Sequence, residues 1–168
     1  MGPRQIQTTQ PGDINVRRAR KDERMEIHRV FYRSIREGTG AYYTPVQRAA
    51  WAPDIAPVST EFDPKDIRKF WIAEIESQIV GFMAVTPDGY LDLAFVLPEW
   101  MGRGVAQAVY EQLLEWAKRA GLKRLTTHAS HFARRFFEKQ GWQLDTSEIH
   151  THNGQQFERF CMSLDLET

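Results

Sequence analysis

The chain predicts an α+β domain built on a mixed sheet, and three stretches carry that prediction. Residues 89–106 run an apolar strand through a proline into a glycine loop that opens an amphipathic helix. Ahead of it, Phe70 to Ile75 and Ile79 to Val85 read as two strands joined by the polar turn Glu76, Ser77, Gln78. Behind it, Gln143 to Ile149 and Gln155 to Leu166 flank Asn153-Gly154, the strongest short-range signal for a two-residue hairpin. Strands thus stand before and after the helices instead of alternating with them, and the closing hairpin adds antiparallel pairs to the sheet.

The remaining elements follow in order. Residues 1–13 are polar, hold Pro3, Pro11 and Gly12, and read as a frayed start; residues 14–168 form a single domain, long enough to bury a core. Ile14 to Arg20 alternates as an edge strand. Lys21 to Arg36 carries Met25, Ile27, Val30, Phe31, Ser34 and Ile35 at helical spacing, with Lys21 or Asp22 starting the helix and Gly38 or Gly40 ending it. Pro45 suits the first turn of a short helix containing Gln47, Ala50 and Trp51. Residues 52–64 hold Pro53, Pro57 and Pro64 and read as loop. Pro87-Asp88-Gly89 turns into the strand in which Leu91, Leu93 and Phe95 alternate with Asp92, Ala94 and Val96. Val105, Val109, Leu113, Trp116 and Ala120 then mark the buried stripe of a helix that Gly121 ends. Arg124 to Ala129 is a short strand, and Phe132 to Gln140 a helix stopped by Gly141-Trp142.

Composition excludes several partners. Twenty-two basic residues balance twenty-two acidic ones, so no global field draws in nucleic acid or an anionic membrane. No apolar run approaches the roughly 20 residues that span a bilayer, and the first residues lack an apolar signal core. The single cysteine, Cys161, excludes an internal disulfide and fits a reducing compartment. A cytoplasmic protein is expected. Metal binding is not: His128-x-x-His131, His150-x-His152 and Cys161 offer no matched pair at zinc-type spacing.

Gly102 and Gly104 sit where a helix begins, so unpaired backbone N–H groups and the positive end of the helix dipole face outward and invite an anion. Two familiar phosphate loops do not fit. A nucleoside-triphosphate loop needs Gly-Lys-Ser or Gly-Lys-Thr where this chain has Gly104-Val105-Ala106. A dinucleotide fingerprint needs a small residue at position 107, which is Gln, and an acid about 20 residues on, where Arg124, Leu125 and Thr126 stand. The bland alternative is a tight turn between strand and helix.

The order of strand, Gly-x-Gly-x-Ala loop, long helix, strand, then Ala133-x-x-x-Phe137-Glu-Lys-Gln-Gly-Trp142 resembles the GCN5-related N-acetyltransferases, or GNAT proteins, over residues 14–166. The family loop motif, Gln/Arg-x-x-Gly-x-Gly/Ala, falls on Met101 to Ala106, with Met101 replacing the leading Gln or Arg. Tyr42-Tyr-Thr-Pro-Val-Gln47 followed by Ala50-Trp51-Ala-Pro53 is similar to a bacterial branch labelled YafP-like acetyltransferases. The resemblance implies a six- or seven-stranded sheet with helices on both faces, and acetyl-CoA as acetyl donor. Its pyrophosphate would lie on the amides of Met101, Gly102, Arg103, Gly104, Val105 and Ala106, aided by Arg103 with Arg134 or Arg135. Its pantetheine would lie in a gap between the strand near residues 92–97 and that near 125–129, against Phe95, Val96 and Leu97, with Ser130, Ala133 and Phe137 alongside. The acceptor would meet Tyr42, Tyr43, Gln47 and Trp51 on the segment after the first helix. A homodimer is compatible with the family.

Acetyl transfer to an amine requires the amine to lose a proton, the oxyanion to be stabilised and the thiolate to leave. The family's usual acid, a Tyr four residues before the Gly of the final motif, is Phe137 here, and a phenyl ring donates no proton. Tyr90, Tyr42, Tyr43, His128 and Ser130 are candidates for that role. Asp92, the one charged residue in an apolar strand, is the first candidate for the base; a carboxylate on a buried strand has a job or a partner. Glu99 and, through water, His128 follow. The expectation is direct N-acetyl transfer in a ternary complex to an amine of a small molecule or peptide, with no convincing nucleophile for an acyl-enzyme. The alternative is a GNAT-like module that holds acetyl-CoA or CoA as a sensor, without catalysis.

Overall fold

In the computed structural model, residues 13–57 and 59–166 are described. The expected frayed start therefore lies, except for Asp13, outside the described residues. Among the described residues, seven strands form one mixed sheet in the order β1-β2-β3-β4-β5-β7-β6. They are β1 (Asn15–Arg18), β2 (Lys69–Ile75), β3 (Gln78–Val85), β4 (Tyr90–Val96), β5 (Arg124–Ser130), β6 (Gln143–His152) and β7 (Gln155–Asp165). The helices are α1 (Arg24–Gly38), α2 (Pro45–Trp51), α3 (Val105–Arg119) and α4 (His131–Lys139). None among the described residues is long and apolar enough to cross a membrane.

Two hairpins join neighbouring strands through pairs of left-handed residues. Glu76 and Ser77 have φ of 50° and 66°, and Asn153 and Gly154 have 48° and 80°, the signs a tight turn needs to follow the sheet's twist. Gln78 belongs to β3 and not to the turn, and β6 runs on to His152. The helix α1 starts later than its apolar spacing suggests. Glu23 accepts a hydrogen bond from the amide of Arg20 at 2.6 Å and donates its own amide to the Arg20 carbonyl at 3.1 Å. Those bonds close a turn at residues 20–23, so the helix begins only after it. Thr44 and Gln47 cap α2 reciprocally, with Pro45 in its first turn.

The two faces of the sheet are covered separately. Phe82 of β3 pairs with Phe95 of β4, and Phe95 meets Phe31 of α1 edge-on at 5.2 Å. The preceding residue, Gly81, faces the opposite side, where a Cβ would lie 2.7 Å from Cγ1 of Val105 in α3. Successive strand residues point to opposite faces, so α1 and α3 sandwich the sheet, and only glycine lets α3 come this close. Trp142 donates to the Tyr110 hydroxyl at 2.9 Å in the core, tying α3 to the chain that leaves α4.

Two irregularities in β4 open space beside it. Ala84 pairs with Leu93 and Val85 with Leu91, so Asp92 is an extra residue without a partner on β3, a bulge. On the other edge, β4 runs parallel to β5 only at Tyr90 opposite Thr126 and Leu91 opposite Thr127. The Thr127 hydroxyl donates to the Leu91 carbonyl at 2.7 Å and pins the fork. Beyond it the strands diverge.

The edge at β1 carries a pH-sensitive clasp. Arg17 bonds Glu23 at 2.7 Å and Glu74 at 2.9 Å, and the Arg17 hydrogen bond, opposed by burial, holds the Glu23 carboxyl below its usual range. A depressed carboxyl stabilises the fold above its unfolded value and loses that contribution as pH falls through its folded value. The urea midpoint is therefore expected to drop as pH is lowered below about 4.5, and Glu23→Gln should flatten that part of the dependence. An unchanged acid limb in the variant would remove the clasp from the account.

Candidate active site

The turn Pro98–Trp100 ends the apolar strand, and the loop behind it is shaped by its glycines. Gly102 and Gly104 have φ of 73° and 85°, and a Cβ on either would meet nothing within 4 Å. Their role is conformational, and the backbone there stands open. Gly104 caps α3 without any side-chain bond, and the first helical bond runs from the Ala108 amide to the Gly104 carbonyl at 3.0 Å. The amides of Val105, Ala106 and Gln107 precede that bond and point out of the helix start.

They open onto a cavity of about 480 Å³ lined by Met101, Gly102, Gly104, Val105 and Ala106, by Ala94 to Val96 of β4 and by Ala133 and Phe137 of α4. Leu97 is fully buried and does not line it. Arg103 is exposed, its guanidinium 5.3 Å from the centre of the Trp100 ring. Arg134 pairs with Glu138 and covers Phe160, and Arg135 is exposed. Among the described residues, the cation that lines this cavity is Lys139, at the end of α4, which sequence reasoning missed because a basic residue in a last helical turn reads as a response to the helix dipole.

A second cavity, of about 340 Å³, lies at the fork and is lined by Tyr90, Asp92, His128 and Ser130 and by the rings of Phe31, Tyr43, Trp51 and Phe157. Ala94, Phe95, Phe132, Ala133 and Phe137 line both cavities, so the two share one wall. Trp51 meets Tyr43, Phe95 and Phe157 edge-on at 5.3, 5.9 and 6.0 Å. The buried Tyr43 presents its ring to the cavity while its hydroxyl accepts the His131 amide at 3.0 Å. Ser130 is the cap of α4, accepting from the Ala133 amide at 3.0 Å. Tyr42 and Gln47 stand outside the lining: Tyr42 is exposed beside Phe132, and Gln47 caps α2 and reaches the Gln156 carbonyl at 3.1 Å. Phe157 is a lining ring that the sequence reading did not single out.

The titratable groups differ from expectation. Asp92 was expected in a buried apolar strand; it is exposed, because the bulge turns it out of the alternation, and it pairs with Arg68 at 2.9 Å. Arg68 in turn holds Asp66 at 2.7 Å. Glu99 is taken by Arg33 of α1 at 2.9 Å. Tyr90 and His128, by contrast, face each other, with the hydroxyl 2.7 Å from Nδ1. Burial, and then Asp92, raise the phenol above its ordinary value, and burial, with Arg159 adding to it, lowers the imidazole. Both groups are therefore neutral near pH 7. His128 Nε2 lies 3.7 Å from Glu148, which Arg159 also binds.

The histidine pairs read by spacing do not act as pairs. His131 turns to Glu158 at 3.0 Å, and the His150 and His152 rings are 6.0 Å apart near the hairpin end. His128, Glu148 and Cys161 instead converge from three strands, with ligand atoms within 4.8 Å of one another.

A β4 strand that splays from its parallel neighbour over an open-backbone helix start matches a known domain. The model for the acetyltransferase (GNAT) domain matches residues 40–164. The chain belongs to the GNAT acetyltransferases. It is 31% identical over 158 residues to the uncharacterized N-acetyltransferase YafP of Escherichia coli K12, covering 94% of this chain and 93% of that one. Among solved GNAT structures, the GCN5-related N-acetyltransferase from Rhodopseudomonas palustris shares 24% identity at a TM-score of 0.79, covering 90% of this chain and 95% of that one. The PaiA N-acetyltransferase from Thermoplasma acidophilum, solved in complex with coenzyme A, shares 13% identity at a TM-score of 0.68, covering 92% of this chain and 99% of that one. These structures share the GNAT fold with this chain.

Proposed function

We propose that the chain moves the acetyl group of acetyl-CoA to a primary or secondary amine of a small molecule or peptide, by direct transfer in a ternary complex. The observation that carries this reading is the wall of Ala94, Phe95, Phe132, Ala133 and Phe137, which both cavities share. One side offers the open amides of Val105, Ala106 and Gln107 to a pyrophosphate; the other offers aromatic rings and titratable groups to an acceptor. The donor fits the first side because, among the described residues, nothing lies within 4 Å of where a Cβ on Gly102 or Gly104 would stand, and the cap residue Gly104 has no side chain to bond the helix start. Lys139 adds a positive charge there. Bound acetyl-CoA supplies an acetyl group already activated as a thioester. Beyond Leu91, the β5-facing edge of β4 has no strand partner and can hydrogen-bond an extended ligand arm.

On the acceptor side, Phe31, Trp51 and Phe157 exclude water and favour an apolar or aromatic amine. Tyr90 and His128 handle the proton. As the amine nitrogen takes the acetyl group and CoA leaves as its thiolate, the neutral His128 accepts the Tyr90 proton at Nδ1 while Tyr90 Oη takes one from the amine; the imidazolium then returns its proton through Tyr90 Oη to the thiolate or to solvent. Asp92, committed to Arg68, orders the rim of the site. Cys161 lines neither cavity, and burial holds its thiol in the protonated form, which supports direct transfer over an acyl-enzyme. The test is an acetyl-CoA assay across aromatic amines, amino acids and short peptides, read by mass spectrometry of the product. Acetylated amine with intersecting initial-rate lines is expected. Parallel lines with acetylated protein would overturn direct transfer, and no product from any amine would overturn the transferase reading.

A further inference from the structure

We propose that His128, Glu148 and Cys161 form a zinc(II) site on the sheet face beside the fork, and that zinc there switches off the Tyr90–His128 proton relay. The three donors come from three neighbouring strands. His128 of β5 pairs with Cys161 of β7, and Cys161 pairs with Thr146 of β6, two residues before Glu148. Register therefore directs all three side chains to one face. Their ligand atoms lie within 4.8 Å of one another, and His128 Nε2 is 3.7 Å from Glu148 Oε1. Zinc bonds of about 2.0 to 2.3 Å place tetrahedral donors roughly 3.3 to 3.8 Å apart, so small rotamer changes on a fixed sheet close the site.

The donor set is a nitrogen, an oxygen and a sulfur, which suits zinc better than magnesium or calcium. His128 and Glu148 are exposed, leaving the fourth position to water. The other ring nitrogen of His128 already has its partner in the Tyr90 hydroxyl at 2.7 Å, the outer-shell contact that fixes a ligating imidazole. Arg159 engages Glu148 through Oε1, the same oxygen that faces His128, so zinc either displaces that guanidinium contact or takes the second oxygen after the carboxylate rotates. On binding, the Cys161 S–H loses its proton to solvent and the thiolate bonds zinc. Linear spacing hides this site, since its ligands are brought together only by the sheet.

The consequence for activity rests on the proposed relay. A metal on Nε2 forces the imidazole proton onto Nδ1, where it points at Tyr90 Oη, and Nδ1 can then accept nothing. The test is a titration of the purified chain with cobalt(II), which reports a thiolate ligand by an intense near-ultraviolet charge-transfer band. One equivalent of cobalt is expected to give that band together with the strong visible absorption of tetrahedral cobalt. Zinc should displace it, and Cys161→Ser, verified as folded by its melting curve, should abolish the band. His128→Gln should weaken cobalt binding by at least about tenfold. Zinc should inhibit acetyl transfer by the natural chain and not by Cys161→Ser, whose basal rate should be unchanged. Cobalt binding without a thiolate band, or binding that Cys161→Ser leaves intact, would overturn the site and point to capture by His150 and His152. A thiolate band in a chain that acetylates no amine would leave the site standing and overturn the transferase reading; acetylation without a band would do the reverse.

Discussion

Replacing His128 with glutamine is expected to lower kcat by about 10²-fold or more, the usual contribution of a positioned acid–base group, with KM for acetyl-CoA unchanged. Glutamine keeps a hydrogen-bonding group near Tyr90 Oη but cannot take up its proton. His128 lines the fork cavity and not the loop-side one, so the proposed donor seat should not register the change. Tyr90→Phe removes the other half of the same relay, and the double variant should be hardly slower than either single one, since groups acting as a unit are not additive. Asp92→Asn should cost less than either, because its carboxylate is committed to Arg68. The measurement is the initial rate at saturating acetyl-CoA. A His128→Gln rate within twofold of the natural chain would take the proton away from this pair, and a larger loss in Asp92→Asn would return it to the carboxylate.

The second large effect falls on stability. Phe82 is almost completely buried, stacks on Phe70 at 6.2 Å and lies 5.8 Å from Phe95, which α1 and α2 also contact through Phe31 and Trp51. Phe82→Ala removes the ring at the centre of this chain of aromatic contacts, and a Phe-to-Ala cavity costs about 3 to 5 kcal/mol. For a domain of this length each kcal/mol lowers Tm by roughly 2 to 4 °C, so a fall of about 6 to 20 °C is expected. Phe82 also lines the loop-side cavity, and Phe95 belongs to the wall between the two cavities. Acetyl-CoA affinity should therefore fall with stability. A loss of less than about 1 kcal/mol would mean that the neighbours collapse into the hole and that this face is less tightly packed than its burial indicates.

What the sequence disclosed was mostly local. The strand, loop and helix of residues 89–120 were legible because glycine at positive φ and a one-sided apolar stripe leave short-range marks, as does Asn153-Gly154 at its hairpin. Two features of the site were not. Asp92 looks buried because it is the one charged residue in an apolar strand, yet it falls at a bulge and is exposed, and its partner Arg68 lies on the other side of two strands in the chain. The meeting of His128, Glu148 and Cys161 depends on strand order, since β7 inserts between β5 and β6, and no spacing rule along the chain anticipates that. The motif drew attention to Tyr43 and Trp51, which line the fork cavity, but could not tell that Tyr42 and Gln47 stand outside it, because helix capping and an exposed ring are set by packing.

The most direct test of the central claim, that the helix start at Gly104 seats acetyl-CoA beside the fork, is thermal unfolding with acetyl-CoA, CoA and NAD. A ligand at one hundred times its dissociation constant adds about 2.7 kcal/mol, a rise of roughly 5 to 10 °C for a domain of this size. The account predicts a rise of that order with acetyl-CoA and CoA and none with NAD. No shift at millimolar acetyl-CoA would contradict it and reduce the loop at Gly102 to Ala106 to a turn between strand and helix.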